Sequence, residues 1–265
     1  MAERRVAIVT GASAGIGAEI ARSLARRGWD IALIGRRADA LGAVAAACRD
    51  AGARALPILA DLADRERCTG SVDEAATEFG RIDALVANAG VTMIARCEDV
   101  EDLAIYERLA HVNYLAAAYC THAALPALLA SGGRILAVAS VSGLTGVPTR
   151  TAYAASKHAM VGFFESLRIE LRNRGVSVTI AAPDYVSTRI HERALTADGS
   201  ELGYSPLRHE HALAAAKCAD LLVSAMLSRR RLVLTSFRSR IGRWLRLIAP
   251  RLVDRMAARA AVRWR

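Results

Sequence analysis

The chain has 265 residues, 53% of them apolar, and a formal net charge of +10. That length and apolar fraction suit one α/β domain with a large core and exclude intrinsic disorder. The charge is lopsided: residues 236–265 carry nine arginines and one acid, Asp254, so the body before them is nearly neutral, which speaks against a chain-wide nucleic-acid surface.

No apolar run reaches the ~18 residues needed to span a bilayer. Residues 1–5 run straight into an apolar strand, without the long apolar stretch and cleavage site of a secretory signal. The expectation is an intracellular, cytoplasmic protein. Cys48, Cys68, Cys97, Cys120 and Cys218 are widely spaced with no C-x-x-C pair. They read as reduced thiols, and no metal site is expected.

Residues 6–10 form the first predicted strand. It ends in Thr10-Gly-Ala-Ser-Ala-Gly-Ile-Gly17 and leads into a helix over 15–27. Glycines at 11, 15 and 17 permit a tight turn and close approach of backbone to a phosphate. The helix N-terminus adds free N–H groups and a positive dipole. Strand, glycine loop and helix at the start of the fold predict a dinucleotide cradle of Gly11, Ser13, Ala14, Gly15, Ile16 and Gly17. The second strand, 30–35, is followed by Arg36 and Arg37, where a ribose with two free hydroxyls usually meets an acid. A guanidinium fork suits a 2′-phosphate instead, which favours NADP(H) over NAD(H). The alternative is that these arginines merely cap the next helix in solvent.

A third strand, 54–59, precedes Asp61 and Leu62 and a helix over 64–79. A fourth, 84–87, precedes Asn88, Ala89 and Gly90. Each group sits at the carboxyl end of its strand, where open α/β sheets bind ligands, and together they line a crevice. A helix over 105–130 leads to the fifth strand, 134–139, which ends at Ser140. The next helix, 151–174, opens with Tyr153-Ala-Ala-Ser-Lys157. A sixth strand covers 176–182 and a seventh 231–235. Between them, residues 184–208 lack a clean period and predict a substrate lid. The strands are apolar without polar alternation, as strands buried on both faces are. Alternation with helices and the lack of an internal repeat or linker predict one domain. Its fold class is α/β, a three-layer Rossmann-type doubly wound sheet of about seven parallel strands.

Four-residue spacing puts Tyr153 and Lys157 on one helical face. A phenol has a pKa near ~10, too high for acid–base work at neutral pH, and a nearby ammonium lowers it. Lys157 can also reach ribose hydroxyls, and Ser140 can hydrogen-bond a carbonyl or alcohol oxygen. The spacing alone also fits a solvated helix face. Only two lysines, Lys157 and Lys217, stand against 34 arginines, so lysine at 157 suggests a need for a compact ammonium.

On these residues the chain resembles the short-chain dehydrogenases/reductases, over residues 5–235. The likeness rests on the 10–17 loop, Asn88-Ala-Gly90, Asn113, and Ser140 placed 13 residues before Tyr153, with Lys157. The resemblance implies hydride transfer between a nicotinamide cofactor and a carbonyl/secondary-alcohol pair. It makes Tyr153 the general acid/base and gives Lys157 the nicotinamide ribose. Ser140 would orient the substrate oxygen, and Asn113 would hold a relay water. It adds Pro183, Val186 and Thr188 to the cofactor site, and Ser142, Asp184 and Tyr185 to the substrate site. Two positions depart from the family pattern: Asp184 replaces the glycine common after the sixth strand, and Ala14 replaces a basic residue frequent in NADP-preferring members. Relatives form dimers and tetramers through helices like 105–130 and 151–174, so a homodimer or homotetramer is implied. A cofactor-binding regulatory or scaffolding homologue is the alternative to an enzyme.

Residues 1–235 are thus read as the catalytic domain and 236–265 as an arginine-rich amphipathic tail. In the tail Ile241, Trp244, Leu245, Ile248, Leu252, Met256, Ala260 and Trp264 recur at helical spacing, with arginines at 243, 246, 251, 255, 259 and 263 and a break at Pro250. Such a helix fits an anionic membrane surface, which would place the protein peripherally at the inner face. It equally fits packing on the body or a second subunit. The pocket segments, 141–148, 184–193 and 194–208, are mostly apolar, so the expected partner is a small apolar carbonyl or alcohol.

Overall fold

A computed structural model describes residues 4–206 and 212–262. The chain alternates from β1 (Val6–Thr10) and α1 (Gly15–Ala25) through β2 (Asp30–Gly35), α2 (Ala38–Asp50), β3 (Ala55–Leu59) and α3 (Arg65–Phe79) to β4 (Ala84–Ala87). It continues through α4 (Ala104–Ala110), α5 (Ala116–Ser131), β5 (Arg134–Val138), α6 (Thr151–Glu170) and β6 (Ser177–Ala182). Two short strands, β7 (Val186–Ser187) and β8 (Leu213–Ala214), precede α7 (Ala215–Leu227) and β9 (Leu232–Leu234). Helices α8 (Phe237–Ile248) and α9 (Pro250–Val262) follow.

Seven strands form one parallel sheet in the order β3-β2-β1-β4-β5-β6-β9. The order reverses between β1 and β4, so a crevice opens there beyond the carboxyl ends. Residues of β1 alternate between the two faces. Val6 and Ile8 pack with Val72, Phe79, Leu128 and Phe164 from α3, α5 and α6. Ala7 and Val9 pack with Ile20, Leu24, Leu41 and Leu222 from α1, α2 and α7. Both faces are therefore dry, which is why β1, β2 and β4 carry no polar alternation.

Most differences from the predicted elements are frayed ends, and one is structural. The helix expected over 105–130 is interrupted by a π-helical turn at His111–Leu115. Asn113 causes the break. Its Oδ1 accepts from the Val91 N–H at 2.7 Å, and its Nδ2 donates to the Val91 carbonyl at 2.9 Å. Satisfying the loop after β4 costs the helix one residue of register, and π-turns commonly mark functional sites. The 64–79 helix starts one residue later because Asp64 is its cap, accepting from the Glu66 N–H at 2.8 Å.

The segment expected as a lid is tied down in part. Val186 and Ser187 pair with Leu213 and Ala214, and Leu195 bridges to Met93 and Glu201. Residues 207 and 208 of that segment lie outside the described residues, as do Arg263 and Trp264 of the tail and the side chain of Ala260. The tail breaks at Ala249, before Pro250, as expected. All five cysteines are free thiols, Cys97 alone exposed. Among the described residues no helix is long and apolar enough to cross a membrane.

Candidate active site

The glycine loop sits where β1, β2 and β4 end together. Thr10 Oγ1 accepts from the N–H groups of Asn88 and Ala89 at 2.9 and 3.0 Å and donates to the Val86 carbonyl at 3.1 Å. Asn88 Nδ2 donates to the Thr10 carbonyl at 2.9 Å, holding the loop against β4. Two glycines are dictated by space. A Cβ on Gly17 would lie 2.4 Å from the Gly11 carbonyl oxygen, and one on Gly11 would lie 2.8 Å from Ala89 Cα. Gly11 also has φ +65°, which favours glycine. The N-cap of α1 is Ala14, whose side chain cannot cap, so the first N–H groups face the cavity without a side-chain acceptor. A phosphate fits that arrangement.

A cavity of about 960 Å³ runs from this loop across the carboxyl ends of the strands. Of the expected cofactor residues, Gly11, Ser13, Ala14, Gly15, Ile16, Arg36, Arg37, Asp61, Leu62, Asn88, Ala89, Gly90, Pro183, Val186 and Thr188 line it. Gly17 lies behind the loop. Arg37 Nη2 donates to Ser13 Oγ at 3.1 Å, and Arg36 pairs with Asp61 at 3.6 Å. Burial and the nearby charges of Arg193, Arg36 and Arg189 lower the Arg37 pKa. Cationic side chains from β2 and from the segment after β7 thus face one another across this end. Arg189 and Arg193 were not expected there, because only folding brings the 184–208 segment to β2.

At the other end lie Ser140, Ser142, Tyr153, Lys157, Asp184 and Tyr185. Ser140 Oγ accepts from the Ser142 N–H at 3.1 Å in a single 3₁₀ turn. Gly143 lets this turn rest on α6, since its Cβ would meet the Lys157 carbonyl at 2.7 Å. Lys157 is buried and donates through Nζ to the Val138 carbonyl at 3.0 Å. Burial lowers its pKa to about 8. Burial raises the Tyr153 pKa, while a hydrogen bond with Ser140 and the charge of Arg150 pull it down. Arg150, three residues before the phenol, thus adds a favourable charge beside it. Arg150 is itself buried, donates to Thr92 Oγ1 at 3.2 Å and lies 3.2 Å from His191 Nδ1. Arg150 precedes the helix expected over 151–174, and without the fold nothing distinguishes it from a solvated arginine.

Asn113 does not reach the cavity. It is fully buried behind Gly90, with one amide hydrogen on the Val91 carbonyl and the other on Ser156 Oγ at 2.9 Å. Both hydrogens are engaged, so the amide has none to offer a water. Among the described residues no cluster of three or more His, Cys, Asp or Glu side chains forms.

Asp184 faces the tail. Its Oδ2 accepts from Ser236 Oγ at 2.7 Å, Arg238 Nη2 lies 3.1 and 3.2 Å from its two oxygens, and its N–H donates to Thr235 Oγ1 at 3.0 Å. Phe237, Ile241 and Leu245 of α8 and Val253, Met256 and Ala257 of α9 consequently line the same cavity as Tyr153.

Comparison with known proteins agrees with this geometry. The short chain dehydrogenase family matches residues 5–198. An 11-beta-hydroxysteroid dehydrogenase-like 4A of Arabidopsis thaliana is 35% identical, over 94% of this chain and 82% of its own length. The dehydrogenase/reductase SDR family member 7B of Bos taurus is 33% identical, over 97% of this chain and 81% of its own. Among solved structures, a Burkholderia phymatum short chain dehydrogenase/reductase in complex with NAD superposes with a TM-score of 0.83 at 26% identity, covering 95% of this chain and 96% of that one. A Thermococcus sibiricus alcohol dehydrogenase complexed with 5-hydroxy-NADP gives 0.77 at 26% identity, covering 88% and 96%.

Proposed function

Because the chain belongs to the short-chain dehydrogenases/reductases, and is thus an NAD(P)-dependent oxidoreductase, we propose that it uses NADP(H) to interconvert a carbonyl and a secondary alcohol, with Tyr153 as general acid/base. The observation that carries this reading is the grouping of half-buried Ser140 with buried Tyr153 and Lys157 on the wall of the cavity that begins at the glycine loop. Residues 11–16 and the start of α1 would hold the pyrophosphate, Arg36 and Arg37 the 2′-phosphate, and Lys157 the nicotinamide ribose. The bound nicotinamide supplies or accepts the hydride.

The side chains do the rest. The Ser142 N–H on Ser140 Oγ leaves the serine hydroxyl hydrogen to the Tyr153 oxygen, from which it can turn to a substrate oxygen. Tyr153 then gives its phenolic proton to that oxygen during reduction, or takes it during oxidation. Burial opposes ionisation of the phenol, and Arg150 and Ser140 offset part of that cost. Lys157, held by the Val138 carbonyl, would bind the ribose with its remaining donors. Tyr153→Phe tests the assignment: NADPH binding should be nearly intact and turnover lost, and retained turnover would refute it.

Two finer elements belong to the same reading. Trp244, Leu247 and Ile248 on α8 are 65%, 73% and 82% exposed, beside exposed Arg240, Arg251 and Arg255. This surface supports peripheral docking on an anionic membrane from the cytoplasmic side, by a tail that also packs on the body. The outer face of α5 and α6 supports a homodimer or homotetramer, as the 64% exposure of Ile169 suggests. No observation favours a purely scaffolding role.

A further inference from the structure

The residue that departs from the family pattern, Asp184, is also the one that holds the tail. Its side chain is 12% exposed and is enclosed by Ser236 and Arg238. The Arg238 guanidinium spans from this carboxylate to the ring of Tyr185, 5.4 Å from its centroid. Ser236 also caps α8, its Oγ accepting from the Ser239 N–H at 3.0 Å. A second tie lies one pocket wall away, where Arg246 donates to the Leu144 carbonyl. An exposed ion pair alone contributes little, but here a well-buried carboxylate meets a capping hydroxyl, a guanidinium and a backbone link at one point. The hairpin of α8 and α9 is thereby fixed across the mouth of the cavity.

Beside Arg238, Ser239 and Arg243, the hairpin presents five large apolar side chains to the cavity: Phe237, Ile241, Leu245, Val253 and Met256. Opposite them stand Leu144 and Val147, close to Ser140. The carboxylate nearest this end, Asp184, is spent on the latch. Between Leu144 and Val147 on one side and the hairpin on the other, the cavity therefore offers a strip of hydrocarbon contact beside its polar and cationic lining.

We propose that the α8–α9 hairpin, latched by Asp184 to Ser236 and Arg238, is the distal wall of the substrate site, and that the substrate is an elongated apolar carbonyl or alcohol reaching from Tyr153 to Ile241 and Leu245. This rests on the hydride-transfer reading above. Each further methylene buried against such a wall multiplies affinity by roughly fourfold. Selectivity for length then belongs to the hairpin, while chemistry belongs to Ser140, Tyr153 and Lys157.

The test uses the full chain with NADPH and a series of 2-alkanones from about four to about twelve carbons, read as kcat/KM and, separately, as calorimetric binding to the NADPH-saturated protein. Wild type should show both quantities rising by roughly tenfold or more for every two carbons until the chain reaches the hairpin. Ile241→Ser with Leu245→Ser should flatten the rise, costing the longest ketone at least about tenfold more than the shortest. Arg238→Gln, which loosens the latch without touching the apolar wall, should act in the same direction. Turnover that does not depend on length, or equal losses for short and long ketones in both variants, overturns the hairpin and leaves the oxidoreductase reading standing. Length-dependent binding that the variants flatten, with no turnover of any ketone, supports the hairpin and overturns the hydride-transfer reading.

Discussion

Lys157 Nζ donates to the carbonyl oxygen of Val138 at 3.0 Å, pinning the ammonium of α6 against the carboxyl end of β5. Only 3% of the residue is exposed, and burial holds its pKa near 8 against an ordinary 10.5. Between those values the unfolded chain carries a proton that the folded chain has released, so stability rises with pH across the interval. Below about pH 8 the lysine is charged in both states and the burial cost is present in full. Thermal unfolding of the cofactor-free protein should therefore show wild type gaining on Lys157→Met between about pH 7 and about pH 10, by on the order of 3 kcal/mol in all. A difference between the two proteins that stays flat over that range would mean the lysine is better solvated than its position suggests.

The phosphate cradle makes a steric prediction. A methyl at Gly17 meets the Gly11 carbonyl oxygen and Asn88 Nδ2, both at 2.4 Å; the first is backbone and the second is tied to the Thr10 carbonyl. Gly17→Ala should cost about 1–3 kcal/mol of stability and weaken NADPH binding sharply. Gly42→Ala is the control. That glycine lies inside α2, and its Cβ would have open space, so the change should be neutral or stabilise by about 0.5–1 kcal/mol. Denaturation midpoints that fall equally in the two variants would remove the steric argument.

The proposed use of NADP(H) rests on two arginines just after β2, Arg36 and Arg37. The Arg36–Asp61 pair is 3.6 Å long with both side chains about half exposed, so little holds Arg36 away from an incoming phosphate. Arg37 is already turned towards the loop by Ser13. Arg36→Gln with Arg37→Gln should raise KM for NADPH by about 10-fold to 100-fold, the range for lost hydrogen bonds to a charged group, and leave KM for NADH nearly unchanged. A double variant that still prefers NADPH would sink the assignment, or shift it to Arg189 and Arg193.

The sheet and the residues placed at its carboxyl edge were legible because their causes are local. Strands such as Val6–Thr10 and Asp30–Gly35 are dry on both faces, and dryness is written directly into composition. The glycine loop and the Tyr153–Lys157 spacing are likewise contiguous. What could not be read depends on contacts distant in sequence. The π-turn at Asn113 exists because Val91 draws the side chain away. The tail's place over the cavity exists because Asp184 meets Arg238, 54 residues later. The periodicity of 236–265 announced an amphipathic helix but not what its faces touch, and the structure divides them: Ile241 and Leu245 turn to the cavity, while Trp244, Leu247 and Ile248 stay outside.

That division bears on the membrane. An apolar strip with two of its three residues more than 70% exposed is costly in water, and the same two helices expose Arg240, Arg251 and Arg255 against one acid, Asp254. Each arginine near an anionic surface adds about 1 kcal/mol, and the attraction fades within a Debye length of about 10 Å at 0.1 M salt. The intact protein should sediment with vesicles containing phosphatidylserine at low salt, less so as salt rises, and not with vesicles of phosphatidylcholine alone. Trp244→Ser with Ile248→Ser should reduce sedimentation by more than tenfold at moderate salt, since two large apolar side chains lose their burial, while Arg251→Gln with Arg255→Gln should mainly flatten the salt dependence. A chain ending at Thr235 should not sediment. Because the latch at Asp184 keeps the cavity-facing side chains of α8 turned inward, vesicle binding should leave kcat for a water-soluble ketone within about twofold; a loss larger than that would mean the hairpin must leave the cavity to reach the bilayer.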